Sequence, residues 1–449
     1  MRNLLRILPG LVLGFSVFAS SLSAQQPPAA VLDDIVPLDT KEAAPTCPSN
    51  PPALPLVDDS QPSANPFTYR IRGRIETDAI YVHQTPRDQA ILGELENAFG
   101  FRRARIGAEG TAGDQVRWVA EFDFASGSIA FRDVYVAIDK LPILGEVRVG
   151  NFWEPFSLEG QTSSNYFTFM ERSPIEALDP ARHWGVGVFN CTEDDRATFA
   201  FGAFRSGSGL NGTDISNQND TAYTARVTAL PWYADSGMRL MHVGAAFSQT
   251  FPPNDIVTFN QGPRNSLLQT SDDPLTTLVP DISIPATQYQ LYNVQWAMVL
   301  GPLSFQAEWT GAYIEQIGGG PVFLHGSYVF FSYFLTGEHR EYDTRYGTFR
   351  GINVQSPFVR MSRGQGCSWG PGAWELTARL SYLDFSDPNI PPVNGLKVGD
   401  RLTTATLGVN WYLSTHARLM FNYVHAVPVD PNFGPSGVDT FSIRCAVYW

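Results

Sequence analysis

Arginines and carboxylates recur in this chain at alternate positions of segments whose other positions are apolar, a spacing that puts them together on one face of a β-strand. On that face fall Arg103, Arg105, Arg148, Arg226, Arg379, Arg418 and Arg444, with Glu109, Glu121, Asp123, Asp133, Glu146 and Glu375 beside them. A guanidinium stays charged at any relevant pH and grips carboxylate or phosphate oxygens through paired hydrogen bonds. A row of Arg along a wet wall therefore attracts anions. The same acids can instead neutralise the arginines in networks between neighbouring strands, and the spacing leaves both roles open.

Signals for catalysis are weaker. GSGLNG at 207–212 fits the G-x-G-x-x-G pattern, but no helical pattern follows to bring a helix N-terminus to a phosphate, so a surface loop is expected. The seven histidines include no H-x-x-x-H pair, which removes the usual zinc spacing. Glu154 and Glu171 could form a glycosidase pair only if something fixed their separation, and nothing local nominates a Ser-His base. No cofactor is expected.

The elements that carry these residues follow from composition and period. Charged residues make up 17% of the 449 and the formal charge is −13. The low charge content is unlike a soluble domain, and the acidic balance excludes a nucleic-acid binder, which needs a basic face. With 43% apolar residues the chain can build a core. Residues 1–24 read as a secretory signal peptide: Arg2 and Arg6, an apolar run from Ile7 to Ala19 too short to span a bilayer, and small residues at Ser23 and Ala24. Residues 25–66 hold ten Pro and read as an extended periplasmic linker, a spacer or a tether.

From Phe67 to Trp449 the dominant period is two. Phe441, Ile443, Cys445, Val447 and Trp449 oppose Ser442, Arg444, Ala446 and Tyr448. Trp374, Leu376, Ala378, Leu380 and Tyr382 oppose Glu375, Thr377, Arg379 and Ser381, and 118–124 and 403–411 repeat the pattern. The apolar faces end in aromatic residues, as at a membrane interface, and the opposite faces mix charge with Gly, Ser, Thr and Asn, as in a wet lumen. The expected fold is all-β: a transmembrane antiparallel barrel of about 16 strands over 67–449, each strand with its connection taking about 24 residues. Segments near 250–288 and 386–400 read as loops. Cys191 and Cys367 stand beside expected strand ends and could pair in an oxidising compartment; Cys445 reads as a small hydrophobe, and Cys47 lies in the linker.

Several runs resemble the phosphate-selective porin O and P family. They are FRRARIGAEG at 101–110, RVGNFWEPFSLE at 148–159, SSNYFTFMERS at 163–173, SYFLTGEHREYD at 332–343, GAWELTARLSYLDF at 372–385 and LGVNWYLSTHARLMFNYVH at 407–425. The order of these runs makes the likeness strong from about residue 67 onward. It implies a 16-stranded outer-membrane barrel of a Gram-negative-type bacterium, assembled as a homotrimer in outer-membrane lipid, with loops folded into the channel. The segment between Asn151 and Gly185 resembles the family's inward-folded constriction loop, which nominates Arg172, Arg182 and Glu171 for the narrowest point, with an inter-loop brace as the competing role for the arginines. The family's lysine cluster is missing: the only lysines are Lys41, Lys140 and Lys397, and Trp153 stands where relatives often carry Lys. The expected function is passive diffusion of small hydrophilic solutes or ions, small anions foremost. The alternatives are a channel specific for phosphate or polyphosphate and, from another class, a secreted all-β sugar-binding protein or hydrolase.

Overall fold

The computed structural model describes residues 67–449 apart from 126, 128, 208–219, 260–277, 279–280, 363–365 and 395, and only the backbone of 360–362 and 366–368. The expected signal peptide and linker, most of the GSGLNG run and the side chain of Cys367 lie outside the described residues.

Sixteen antiparallel strands form the wall. They are β1 (Phe67–His83), β2 (Ala98–Ala112), β3 (Val116–Asp123), β4 (Ala130–Leu141), β5 (Gly145–Trp153), β6 (Arg182–Cys191), β7 (Ala197–Arg205) and β8 (Thr221–Ala234). The second half comprises β9 (Arg239–Thr250), β10 (Ile282–Leu300), β11 (Leu303–Gln316), β12 (Val322–Phe334), β13 (Ala373–Asp384), β14 (Arg401–Ser414), β15 (Ala417–Asp430) and β16 (Val438–Tyr448). Each pairs with its sequence neighbour, and β1 pairs with β16 from Arg74↔Tyr448 to His83↔Asp439, so the sheet closes and no edge is left unpaired. The join is tight at its foot. Trp449 exchanges both main-chain hydrogen bonds with Gly73, and its indole lies where any Cβ on Gly73 would stand.

Alternation sorts the side chains as the sequence implies. Ile443, Val447, Leu380 and Leu407 point outward and are exposed, whereas Arg444, Ala446, Arg379 and Thr406 point inward and are buried. Trp449 is 52% exposed on the outer surface, so its stripe is not part of a dry interior. Aromatic rings gather at both ends of the outer face: Trp374 stacks on Trp411 (5.0 Å) and Phe67 on Trp118 (5.6 Å) at one end, and Tyr423 and Tyr81 flank Phe441 at the other. These girdles bracket an apolar band.

Connections at the end holding Trp449 are short, as at 113–115, 142–144 and 301–302, which marks it as periplasmic; the longer loops rise from the other end. One connection breaks the rule. Residues 335–372 join β12 to β13 at the short-turn end and return into the barrel. Inside, the extracellular half of β10 to β16 departs from a hydrophilic inner stripe: Ile284, Ile314, Leu324, Leu383 and Leu402 form a dry cluster with Phe156 and Leu178 of the connection after β5. Loops that enter a barrel need apolar surface to pack on, and this sector supplies it.

Candidate functional site

The connection 154–181 leaves the extracellular end of β5 and lies along the inner wall. At its start the Ser157 hydroxyl accepts from the amide of Gly160 (2.9 Å), and the amides of Leu158 and Glu159 both donate to Glu308 on β11 (2.8 Å each). Beyond that turn the chain is irregular, and its carbonyls have no strand partner. The wall provides donors instead. Arg418 donates to the carbonyls of Phe167 (2.7 Å) and Ser164 (3.3 Å), Asn410 to Thr168 (2.7 Å), Arg379 to Glu171 (3.0 Å), and Arg444 to Met170. Phe169 packs edge-on against Phe330 and beneath the Arg379 guanidinium.

Charge holds the same loop from the other side. Glu171 accepts two hydrogen bonds from Arg102 (2.7 Å each) and pairs with Arg444, while 35% of its side chain remains exposed. Burial alone would raise its pKa, but Arg102, Arg444 and Arg103 hold it well below the usual carboxylate range. Two other loop acids behave oppositely. Burial pushes Glu159 up to about 7 despite Arg379, and burial with the nearby Glu308 raises Asp179 well above the usual carboxylate range.

The segment 335–372 enters from the periplasmic end and meets this loop. Phe349 shares an apolar cluster with Leu158, and Gly351 lies against the Tyr166 ring. Arg226 of β8 donates to the carbonyls of Tyr346 (3.1 Å) and Gly347 (2.8 Å). The Tyr346 hydroxyl donates to Glu146 on β5 (2.7 Å), and Arg345 reaches Asp139 on β4 (3.0 Å). Loop and segment thus narrow the barrel from opposite ends. Between them and the wall of β3 to β8 remains a cavity of about 220 Å³, lined among others by Arg117, Arg148, Arg226, Arg345, Tyr135 and Tyr346.

Comparison with known proteins agrees with this architecture. The model of the family described as phosphate-selective porin O and P matches residues 72–432. The chain belongs to that family. This porin is therefore an outer-membrane channel for passive diffusion, and a secreted soluble all-β protein is set aside. It is 24% identical to Porin O of Pseudomonas aeruginosa over 84% of this chain and 87% of that one. It is also 27% identical to an uncharacterized protein of Caulobacter vibrioides over 89% and 76% of the two chains. Among solved structures, the loop L8 deletion mutant of OmpT, an outer membrane protein of Vibrio cholerae, aligns with a TM-score of 0.50 at 14% identity, covering 86% of the porin chain and all of its own. The trimer form of OmpT gives the same score at 13% identity.

Within the porin, Arg103, Arg105, Arg379, Arg418 and Arg444 face inward but are at most 6% exposed. They do not form the open ladder suggested by alternation. Arg379, Arg418 and Arg444 are covered by the loop they hold, Arg103 is paired with Glu76, and Arg105 with Glu121 and Asp123. Glu109 joins Arg70 and Arg72 lower on the wall. Arg148 and Arg226 reach the cavity.

Both arginines nominated for the constriction are taken up in contacts with neighbouring segments. Arg172 bonds Glu176 (2.6 Å) and the carbonyls of Glu159 and Gly160, between the rings of Trp153 and Phe167. Arg182 is the first residue of β6 rather than a loop residue, and it grips Asp133 with two bonds (3.1 and 2.9 Å). Arg102 was not expected inside, because strict alternation turns it outward. A bulge opposite Glu76/Thr77 turns both Arg102 and Arg103 inward. The available signal was two adjacent Arg in a lipid-bounded strand, since an outward Arg near the bilayer midplane costs about 2–4 kcal/mol. Cys191 is disulfide-bonded, and Cys445 is free and outward.

Proposed function

We propose that this porin passes small hydrophilic solutes and prefers anions, along a path on the β3 to β8 side of the barrel. The observation that carries this reading is the charge around the cavity: four guanidiniums, of Arg117, Arg148, Arg226 and Arg345, against the two carboxylates of Glu146 and Asp139. The opposite sector is packed with apolar side chains in its extracellular half and covered by the loop that Arg379, Asn410, Arg418 and Arg444 hold below it, which leaves the positive sector as the wet one. Selection then comes from pore width and fixed charge, with no covalent step and no cofactor. Export by cleavage after Ala24 and assembly as a homotrimer complete the reading; the trimer form of the OmpT neighbour supports the second.

Planar-bilayer recording in a potassium chloride gradient tests it. The reversal potential should have the sign of chloride preference, and cation preference would overturn the reading. Strong block of that current by phosphate would favour the phosphate-specific alternative. Cross-linking of the protein in outer membranes reads the trimer, and N-terminal sequencing reads the cleavage site.

A further inference from the structure

The walls of the cavity are as aromatic as they are cationic. Arg148 bonds Glu146 through Nε (2.7 Å) and Nη2 (2.6 Å), and its guanidinium lies 4.2 Å from the Phe189 ring centre and 4.6 Å from that of Tyr135. Arg117 donates to the Tyr135 hydroxyl (3.0 Å) and the Tyr346 hydroxyl (3.2 Å) and also pairs with Glu146. Arg226 makes no ion pair with a carboxylate among the described residues; its bonds go to Gln295 and to the two main-chain oxygens of the inserted segment. Arg117, Arg148 and Arg345 keep 17%, 14% and 18% of their side chains exposed, so a solute in the lumen can reach them.

We propose that this cavity is a binding station for a monovalent organic anion with a flat apolar body, a carboxylate on an aromatic ring, in preference to a compact inorganic oxyanion. The inference rests on the channel reading above and names the solute class it selects. Four positive charges against two leave an excess of two, which draws an anion in, while Glu146, bonded by Arg117, Arg148 and Tyr346, already takes up several of the donors. A compact inorganic oxyanion depends on hydrogen bonds alone, and the guanidinium edges already given to Glu146 and Asp139 are not free to supply them. A ring-bearing monoanion avoids this. Its carboxylate can meet the exposed guanidinium edges while its ring lies on Phe189, Tyr135 and Tyr346, a surface that stacks with both rings and Arg. Size agrees: an apolar cavity of about 150 Å³ holds benzene, so 220 Å³ holds a ring with a carboxylate.

Benzoate, acetate and phosphate are the probes, added to the full-length porin in planar bilayers conducting chloride. Benzoate should halve the current at a concentration about tenfold below that of either other anion, a difference of about 1.4 kcal/mol. Phe189→Ala keeps every charge but removes a ring on which Arg148 also lies, so block by benzoate should weaken about tenfold and block by acetate much less; Arg148→Met should weaken benzoate block at least as much. Calorimetric titration of benzoate into the detergent-solubilised protein should give the same order of affinities. Equal block by the three anions, tighter block by phosphate, or a Phe189→Ala variant that blocks like the parent would overturn the proposal while leaving the channel reading intact. A protein that gives no current, or one selective for cations, overturns the channel reading itself; benzoate binding in the calorimeter then still decides whether the cavity takes this class of ligand.

Discussion

Arg444 on the last strand holds Asp78 on the first through Nε (2.7 Å) and Nη2 (2.6 Å), so the seam that closes the barrel is tied by an ion pair as well as by main-chain bonds. The same guanidinium also pairs with Glu76 and Glu171, which makes one buried residue a junction between first strand, last strand and inserted loop.

Removing that junction leaves Asp78 buried without its cation, while Glu76 keeps Arg103 and Glu171 keeps Arg102. Arg444→Ala should cost about 3–5 kcal/mol, the usual penalty for breaking a buried pair from one side. It should appear as a lower midpoint in urea unfolding from detergent micelles and a lower temperature for the change in gel mobility. Combining Arg444→Met with Asp78→Leu should recover part of the loss, because an apolar pair of similar volume leaves fewer unmatched charges. A full-strength seam in Arg444→Ala would show that main-chain pairing suffices.

Glu171 ties the loop to Arg102, and its exposed third faces the lumen. Glu171→Gln keeps the shape and removes the charge that makes these bonds strong. Single-channel traces of this variant should show rapid conductance fluctuations absent from the parent, together with a lower unfolding midpoint, because the buried Arg102 loses the charge it pairs with. A quiet trace would place the loop's anchorage in the carbonyl bonds from Arg379 and Arg418.

Which parts of this were legible in the sequence follows from the range of the interactions. The outward stripe of Phe441, Ile443 and Val447 obeys a period of two, and strand alternation is local, so the wall was readable without coordinates. The face occupied by Arg379 or Arg418 was readable for the same reason. What covers that face was not: the loop carbonyls that these residues bind stand more than 200 positions away in the chain. Arg102 escaped because a one-residue bulge resets alternation locally. The inward return of 335–372 had a cue in strand parity, which puts this long connection at the short-turn end.

Gly347 is where that segment turns against the wall, at φ +64° with a Cβ position 2.5 Å from the Thr228 hydroxyl. A side chain there meets both strain and collision. Gly347→Val should push the segment off Arg226 and widen the path, read as a higher single-channel conductance in the same salt. Adding Thr228→Ala relieves only the collision, so the double variant should fall between Gly347→Val and the parent. An unchanged conductance in Gly347→Val would mean that the segment does not border the path.

Glu159 gives the loop a pH dependence whose sign can be worked out. Burial of its carboxyl, with Glu308 nearby, raises its pKa from 4.5 to about 7 despite Arg379 and the bond it accepts from the Ser173 amide. A carboxyl with a raised pKa holds its proton in the folded protein where the unfolded chain has lost it. Its contribution is therefore fully present below about pH 4.5 and is lost as pH rises toward about 7. Glu171, held low by its arginines, works in the other direction and only in more acidic solution, so the two windows do not overlap. Urea midpoints measured from pH 4.5 to 8 should fall with rising pH through this window. Glu159→Gln should reduce the fall below pH 7, leaving the remaining slope to Asp179, whose pKa burial also raises. Midpoints that climb across the same range in the parent protein would contradict the buried, protonated state of Glu159.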